Sequence, residues 1–315
     1  MAEDISYTPE EVAKILKISK FTVYELIKRG QLTAYHIGRK VRVEAADLEA
    51  YKRKAKGVVV HAPFSSPSPA GEYRSRPFPE GEGLVICGQD VILDILTRHL
   101  EKRLPHLSFL RQYIGSIDGL TALYRGQANA VTAHLWDSDT DEYNIPYVRH
   151  MLPGHRALVI NLVYRIEGFY VAGGNPKNIL TWQDLTRPEL RFVNRERGSG
   201  ARVLLDEKLK VLGIDHRQVN GYEDEEMSHL AVASRVARGE ADAGLGIEKA
   251  ALQVSGLDFV PLQKERYDLI ILHEDLDKPP FRALLSILNS PAFQKEVQGI
   301  GGYDVSRMGQ IIKEV

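Results

Sequence analysis

Residues 8–51, TPEEVAKILKISKFTVYELIKRGQLTAYHIGRKVRVEAADLEAY, leave little freedom in how the chain begins to fold. Thr8 has the chemistry of a helix N-cap, Pro9 suits the first helical position, and Glu11 stands three residues on to complete a capping box. Val12, Ile15 and Leu16 then give a short apolar stripe at helical spacing. The pattern breaks at Ile18. Ser19 is a second N-cap, and Ile18 can staple onto Val23 across it. Val23, Leu26 and Ile27 make the buried face of a second helix, which Gly30 stops. Lys20, Thr22, Tyr24 and Lys28 point away from that face.

Two short helices on a tight turn are a helix-turn-helix, whose second helix normally enters a major groove. Two runs of strand character follow, around Thr33–Ile37 and Lys40–Val43, with Gly38 and Arg39 between them as a hairpin tip. Arg39, Lys40 and Arg42 crowd that tip, where cations can reach phosphates. A third helix, about Ala45 to Lys54, packs Leu48 and Tyr51 back on the head. This order resembles the excisionase/MerR-type winged-helix domain over about the first fifty-five residues. The resemblance implies double-stranded operator DNA as a partner. Lys20, Thr22, Tyr24 and Lys28 are then expected near base edges or flanking phosphates, and Arg39, Lys40 and Arg42 on the backbone. The plainer alternative is a small helical domain with a solvated basic hairpin.

The net charge of −1 conceals an asymmetry. Residues 1–57 carry 12 Lys and Arg against 8 Asp and Glu, hence +4; the remainder carries 29 against 34, hence −5. A basic head on an acidic body is expected where only the head meets DNA. Cys87 is the single cysteine, which excludes a disulfide framework and a cysteine-based zinc site. The start of the chain lacks an apolar signal core, and no run approaches the ~18 apolar residues of a membrane span. A cytoplasmic protein without membrane contact is expected.

From Ala62 to Gly83, twelve of twenty-two residues are Gly, Pro or Ser, which is linker chemistry. The expected division is a DNA-binding head at 1–57, a linker at 58–83 and a ligand-binding domain at 84–315. Leu84–Cys87 reads as a buried strand, a helix runs from Asp90 to about Arg103, and Ser108–Tyr113 is a second strand. A helix from about Asp118 to Arg125 and a strand from Ala130 to Trp136 follow. Strand, helix, strand, helix, strand predicts a parallel sheet with helical crossovers. Ligands sit outside the carboxyl ends of such strands, where Gly88-Gln89-Asp90, Gly115-Ser116 and His134-Leu135-Trp136 fall.

Ala157–Val171 is a long apolar strand, Arg191–Asn194 another, and a helix runs from Ser199 or Gly200 to about Val211. His229–Arg238 is helical, Ala241–Ile247 a strand, and Asp258–Leu262 and Tyr267–Leu272 two more strands. A second α/β lobe, about 165–260, is thus inserted between pieces of the first, about 84–164 and 261–315. Two crossing segments of this kind make a hinge above a cleft. The pattern over about 84–310 resembles the type II periplasmic-binding-protein fold. More narrowly it is similar to the cytoplasmic sensor domains of bacterial regulators, some of them molybdate- or tungstate-responsive. The motifs are the GQD turn, GNP at 174–176, NRERGSGAR at 194–202, ADAGLGI at 241–247 and ERYDLII at 265–271. The fold class expected is therefore α/β: a winged helix-turn-helix followed by a two-lobed domain of that type.

Glycines after a strand let N–H groups converge at a helix start that holds anions. On that ground Gly198, Ser199, Gly200 and Ala201 are candidate ligand contacts, with Arg195 and Arg202 adding charge. Gly88, Gln89 and Ser116 would supply donors from the opposite lobe. Asp90 either caps its helix or faces the cleft, where its carboxylate would repel a bare dianion. Gly244 permits a close backbone approach, and Tyr267 lies near the returning crossover. The histidines show no metal-ligand spacing, and neither GxSxG nor Walker A occurs, so neither catalysis nor a cofactor is expected. The readings carried forward are a homodimeric ligand-responsive regulator, a transport solute-binding protein, and an enzyme with a fused DNA-binding domain. For a regulator the ligand is a small anion: molybdate or tungstate by the resemblance, or a small organic anion whose other end uses Asp90 or Trp136.

Overall fold

A computed structural model describes residues 6–16, 20, 23, 26–27, 32–37, 40–55 and 83–315. They fall in two compact units, 1–71 and 72–315. The expected linker lies almost wholly outside the described residues, as do Ile18, Ser19 and Gly30.

In the head, strand β1 (Ser6–Tyr7) leads into helix α1 (Pro9–Leu16). The capping box forms: Thr8 N–H donates to Glu11 Oε2 at 2.7 Å and Glu11 N–H to Thr8 Oγ1 at 3.3 Å. β2 (Tyr35–Ile37) and β3 (Lys40–Glu44) pair antiparallel, and helix α2 (Ala45–Ala55) follows. β1 joins the other edge of β3. Val12, Ala13, Val23, Leu32, Val43 and Leu48 are the core, with Leu16, Leu26, Ile27 and Tyr51 against it. Ile15 differs from expectation and is exposed, because the stripe buried by the β3 contact is centred on Val12.

The second unit opens with β4 (Gly83–Cys87), α3 (Ile92–Arg103), β5 (Ser108–Gln112), α4 (Ser116–Tyr124) and β6 (Ala130–Ala133). β5, β4 and β6 pair parallel, as the alternation of elements predicts. The expected strand to Trp136 ends early, and Trp136 instead enters a small hairpin, β7 (Trp136–Asp137) with β8 (Glu142–Tyr143), before α5 (Ile145–Met151). β9 (Ala157–Ala172) crosses to the second lobe. There stand β10 (Phe192–Arg195), α6 (Gly200–Leu212), β11 (Glu225–Glu226), α7 (His229–Ala237), β12 (Ala243–Ile247) and α8 (Glu248–Ala251). β13 (Leu257–Leu272) returns, and α9 (Pro279–Leu288), α10 (Pro291–Gly299) and β14 (Ile311–Glu314) close the chain.

β13 is one continuous strand where two were expected. It pairs antiparallel with β9 from Leu257↔Ala172 to Leu272↔Ala157, with irregularities at Pro261/Gln263 and Tyr267/Asp268. These strands carry a nine-stranded sheet through both lobes, in the order β11-β10-β12-β9-β13-β6-β4-β5 with β14 also on β9. Side-chain alternation splits each lobe's core in two. On β4, Leu84 and Ile86 face one apolar cluster while Val85 and Cys87 face another. On β10, Phe192 and Val193 divide likewise. Such two-sided burial is what a helix-covered parallel sheet requires.

Candidate functional site

A cavity of about 180 Å³ lies between the lobes. Strand ends and helix starts build its wall: Gly88, Gln89 and Asp90 after β4, Ser116 at α4, Thr132 and His134 at β6. Arg195 ends β10, Ser199 and Gly200 begin α6, Ser228 and His229 begin α7, and Arg165 and Tyr267 come from the hinge strands. Gly88 turns the chain out of β4 at φ +142°, and a Cβ there would lie 2.0 Å from Thr132 Oγ1. The lobes touch. Ile117 N–H donates to Gly198 O at 3.0 Å, and Arg195 donates to the Gln89 side-chain carbonyl.

Gly88, Gln89, Asp90, Ser116, Arg195, Ser199, Gly200 and Tyr267 are thus brought together on the cavity wall. Gly198, Ala201, Arg202 and Gly244 stand behind it. Gly198 serves the interlobe hydrogen bond, and Ala201 packs into the second lobe's core. The Arg202 guanidinium lies 4.0 Å over the Tyr222 ring and donates to Glu225 at 3.1 Å. Its charge is spent inside the lobe. Gly244 makes room for Val232, whose Cγ1 would be 2.3 Å from an added Cβ.

Asp90 both caps its helix and faces the cavity. Its Oδ1 accepts from Ile92 N–H at 2.9 Å and from the Tyr303 hydroxyl at 2.9 Å, and its Oδ2 is paired with Arg165. Both oxygens are therefore engaged, and the expected repulsion of a dianion is met by a guanidinium. Arg165 also pairs with Glu265, and its guanidinium lies 4.0 Å from the Tyr267 ring centroid. Glu265 Oε2 in turn lies 2.6 Å from His134 Nδ1. Burial lowers the Arg165 pKa, but the carboxylates of Glu265 and Asp90 outweigh it and hold the side chain charged. Burial pushes the Glu265 carboxyl up, yet Arg165 and His134 prevail and keep it well below the usual range. Glu167 shifts the other way, raised chiefly by burial and then by the Glu265 charge. Burial lifts the Tyr267 hydroxyl to about 12, with Asp90 adding to the effect.

His134 lies on the wall at the strand end where the sequence placed it, whereas Thr132, Arg165, Ser228, His229 and Tyr303 were not expected there. One signal was available: Arg165 and Glu167, the two charged residues of the largely apolar strand β9, stand two apart, so they share one face and need partners. His229 is held uncharged, first by burial and then by Arg195 and Arg165.

Three serines on the wall share one arrangement. Ser199 Oγ accepts from Arg202 N–H at 3.3 Å, Ser228 Oγ from Ala231 N–H at 3.1 Å, and Ser116 Oγ from His134 N–H at 3.4 Å. A hydroxyl that accepts from the backbone still has its own proton to donate. The cavity therefore offers hydroxyl donors at three helix starts, while the Asp90 carboxylate is already occupied.

In the head, Lys20 is exposed and ion-paired with Glu10. Thr22, Tyr24, Lys28 and Arg39 lie outside the described residues. Lys40 and Arg42 are on β3, where Arg42 is partly exposed opposite Tyr35. Among the described residues no helix is long and apolar enough to cross a membrane.

Residues 6–56 match the helix-turn-helix domain family, and residues 97–289 match the PBP superfamily domain. Uncharacterized protein YvgK of Bacillus subtilis is 43% identical over 315 residues, covering all of both chains. A protein of Clostridium pasteurianum, encoded in the 5′ region of a 2Fe-2S ferredoxin gene, is 54% identical over 113 residues, 36% of this chain and all of that one. A substrate-binding protein from Clostridium perfringens, solved with bound phosphate, superposes with TM-score 0.53 at 14% identity over 70% of this chain and 98% of that one. The last likeness is one of fold. The chain accordingly belongs to the PBP-like family, and carries its binding domain behind a helix-turn-helix domain.

Proposed function

We propose that the protein is a homodimeric transcriptional regulator whose interlobe cavity takes a small, fully deprotonated oxyanion, molybdate or tungstate. The arrangement of Ser116, Ser199 and Ser228 carries this reading. A dianion without protons wants donors alone. Phosphate at neutral pH brings a proton that needs an acceptor; both Asp90 oxygens already serve the protein, so that acceptor would have to be another wall group such as the uncharged His229 ring. The space is small, about 180 Å³, against the ~300–1,000 Å³ of sites for drug-sized ligands. The organic-anion alternative loses its anchors. Asp90 is engaged, and the Trp136 N–H donates to Asp141 at 3.0 Å with Lys208 over its ring. Calorimetry with molybdate, tungstate, sulfate, phosphate and small carboxylates tests the reading. Molybdate and tungstate should bind in preference to phosphate. Ser199→Ala removes one charge-assisted hydrogen bond, about 1.5–3 kcal/mol, and should weaken binding roughly 10–100-fold. Heat from carboxylates alone, or equal affinity in the variant, would refute it.

Operator binding belongs to the head, with Arg39, Lys40 and Arg42 on phosphates and Lys20, Thr22, Tyr24 and Lys28 toward the groove. Support comes from the +4 charge of residues 1–57 and the helix-turn-helix match. Neutralised phosphates release counterions, so gel-shift affinity should fall steeply with salt and vanish when residues 1–57 are deleted. Sedimentation of the DNA complex should show two chains per site. Undiminished binding by the truncated chain would end the assignment.

A further inference from the structure

We propose that His134, Glu167 and Glu265 form a binding site for a divalent transition-metal ion in the hinge, directly behind the anion cavity, whose wall it shares through His134. One donor atom from each lies within 4.8 Å of the others. His134 Nδ1 is 2.6 Å from Glu265 Oε2 and 4.0 Å from Glu167 Oε2. Bonds of about 2.0–2.2 Å to such a cation place its ligand atoms roughly 3–4 Å apart, so small shifts suffice. Glu167 supplies the independent observation. It is fully buried, and neither carboxylate oxygen has a hydrogen-bond partner. A buried carboxylate of that kind wants a cation. Arg165 cannot serve, because it is turned onto Asp90 and Glu265.

One imidazole and two carboxylates, with no thiolate, suit Zn²⁺, Mn²⁺, Fe²⁺ or Co²⁺ rather than the oxygen-only shells of Ca²⁺. The placement gives the ion a mechanical role. Glu167 is on β9, Glu265 on β13, and His134 follows β6 with its ring against Gly200 of the second lobe. An ion there joins both hinge strands to the first lobe, and the protein responds to two ligands.

Full-length protein stripped with chelator should take up one Zn²⁺ or Co²⁺ per chain by calorimetry, and Co²⁺ should develop visible d–d bands. Glu167→Gln keeps the side chain's shape and removes its charge, and should weaken uptake by at least about 100-fold. If that variant does not fold, Glu167→Asp decides: a shorter arm weakens Co²⁺ binding if Glu167 is a ligand. No uptake of either metal by wild type, or wild-type affinity in the folded variant, would overturn the site. The experiment contains neither oxyanion nor DNA, so its failure leaves the anion reading standing.

Discussion

Replacing Arg165 by alanine should destabilise the PBP-like unit by about 3–5 kcal/mol, the usual cost of removing one partner from a buried ion pair. Arg165 is almost fully buried and is the guanidinium placed on both Asp90 and Glu265, themselves buried. Without it, two carboxylates remain out of water with no adjacent guanidinium, and the face of Tyr267 loses the cation above it. The loss also falls where β9 and β13 cross between lobes, since Arg165 and Glu265 are register partners. Trp136 and Trp182, the chain's two tryptophans, both lie in the PBP-like unit, so their fluorescence follows its unfolding without the head. In urea the midpoint should fall with little change in slope, and the melting temperature should drop by roughly 10 °C. A midpoint equal to wild type would show that the cluster does not depend on Arg165.

That cluster also marks where the sequence stopped being informative. The Thr8–Glu11 box, the parallel β5-β4-β6 arrangement and the Ser199 cap were legible because each is decided within a few residues or by element order. Gln263-Lys264-Glu265-Arg266 looked like a break between two strands, being four polar residues in a row. It is strand because β9 presents Arg165 opposite Glu265 and Glu167 opposite Gln263. The partner that makes Glu265 tolerable there is 100 residues away in sequence, and a single chain does not announce its register. The same holds for Asp90. Its local cap was readable, but Arg165 and Tyr303, which settle its charge toward the cavity, arrive from distant elements. Arg202 is the converse. Its place in a helix start suggested an anion contact, but Tyr222 and Glu225 draw it into the lobe.

Gly200→Ala should hold the cleft open. A Cβ at Gly200 would sit 2.5 Å from Cε1, Nδ1 and Nε2 of His134, which places a methyl group on the ring. The ring cannot swing aside easily. Its Nδ1 is 2.6 Å from Glu265, and Tyr267 stands edge-on to it with centroids 5.7 Å apart. The relief available is for α6 to move off β6, which separates the lobes and stretches the Ile117–Gly198 and Gln89–Arg195 hydrogen bonds. Overpacking of this kind costs about 1–3 kcal/mol, and here it is charged to the closed state alone. A ligand held between the lobes can shift the equilibrium only by its preference for closure, so its affinity should fall roughly 10–100-fold with stability little changed. Spin labels on cysteines at the exposed positions His150, in the first lobe, and Val211, in the second, read the opening directly. Cys87 is buried, with its thiol pushed up to about 12, and leaves the labelling to the introduced sites. The interlobe distance should lengthen in Gly200→Ala and remain long when oxyanion is added. A distance distribution that superposes on wild type would mean that α6 and His134 accommodate the methyl without opening, and the contact could not be what sets closure.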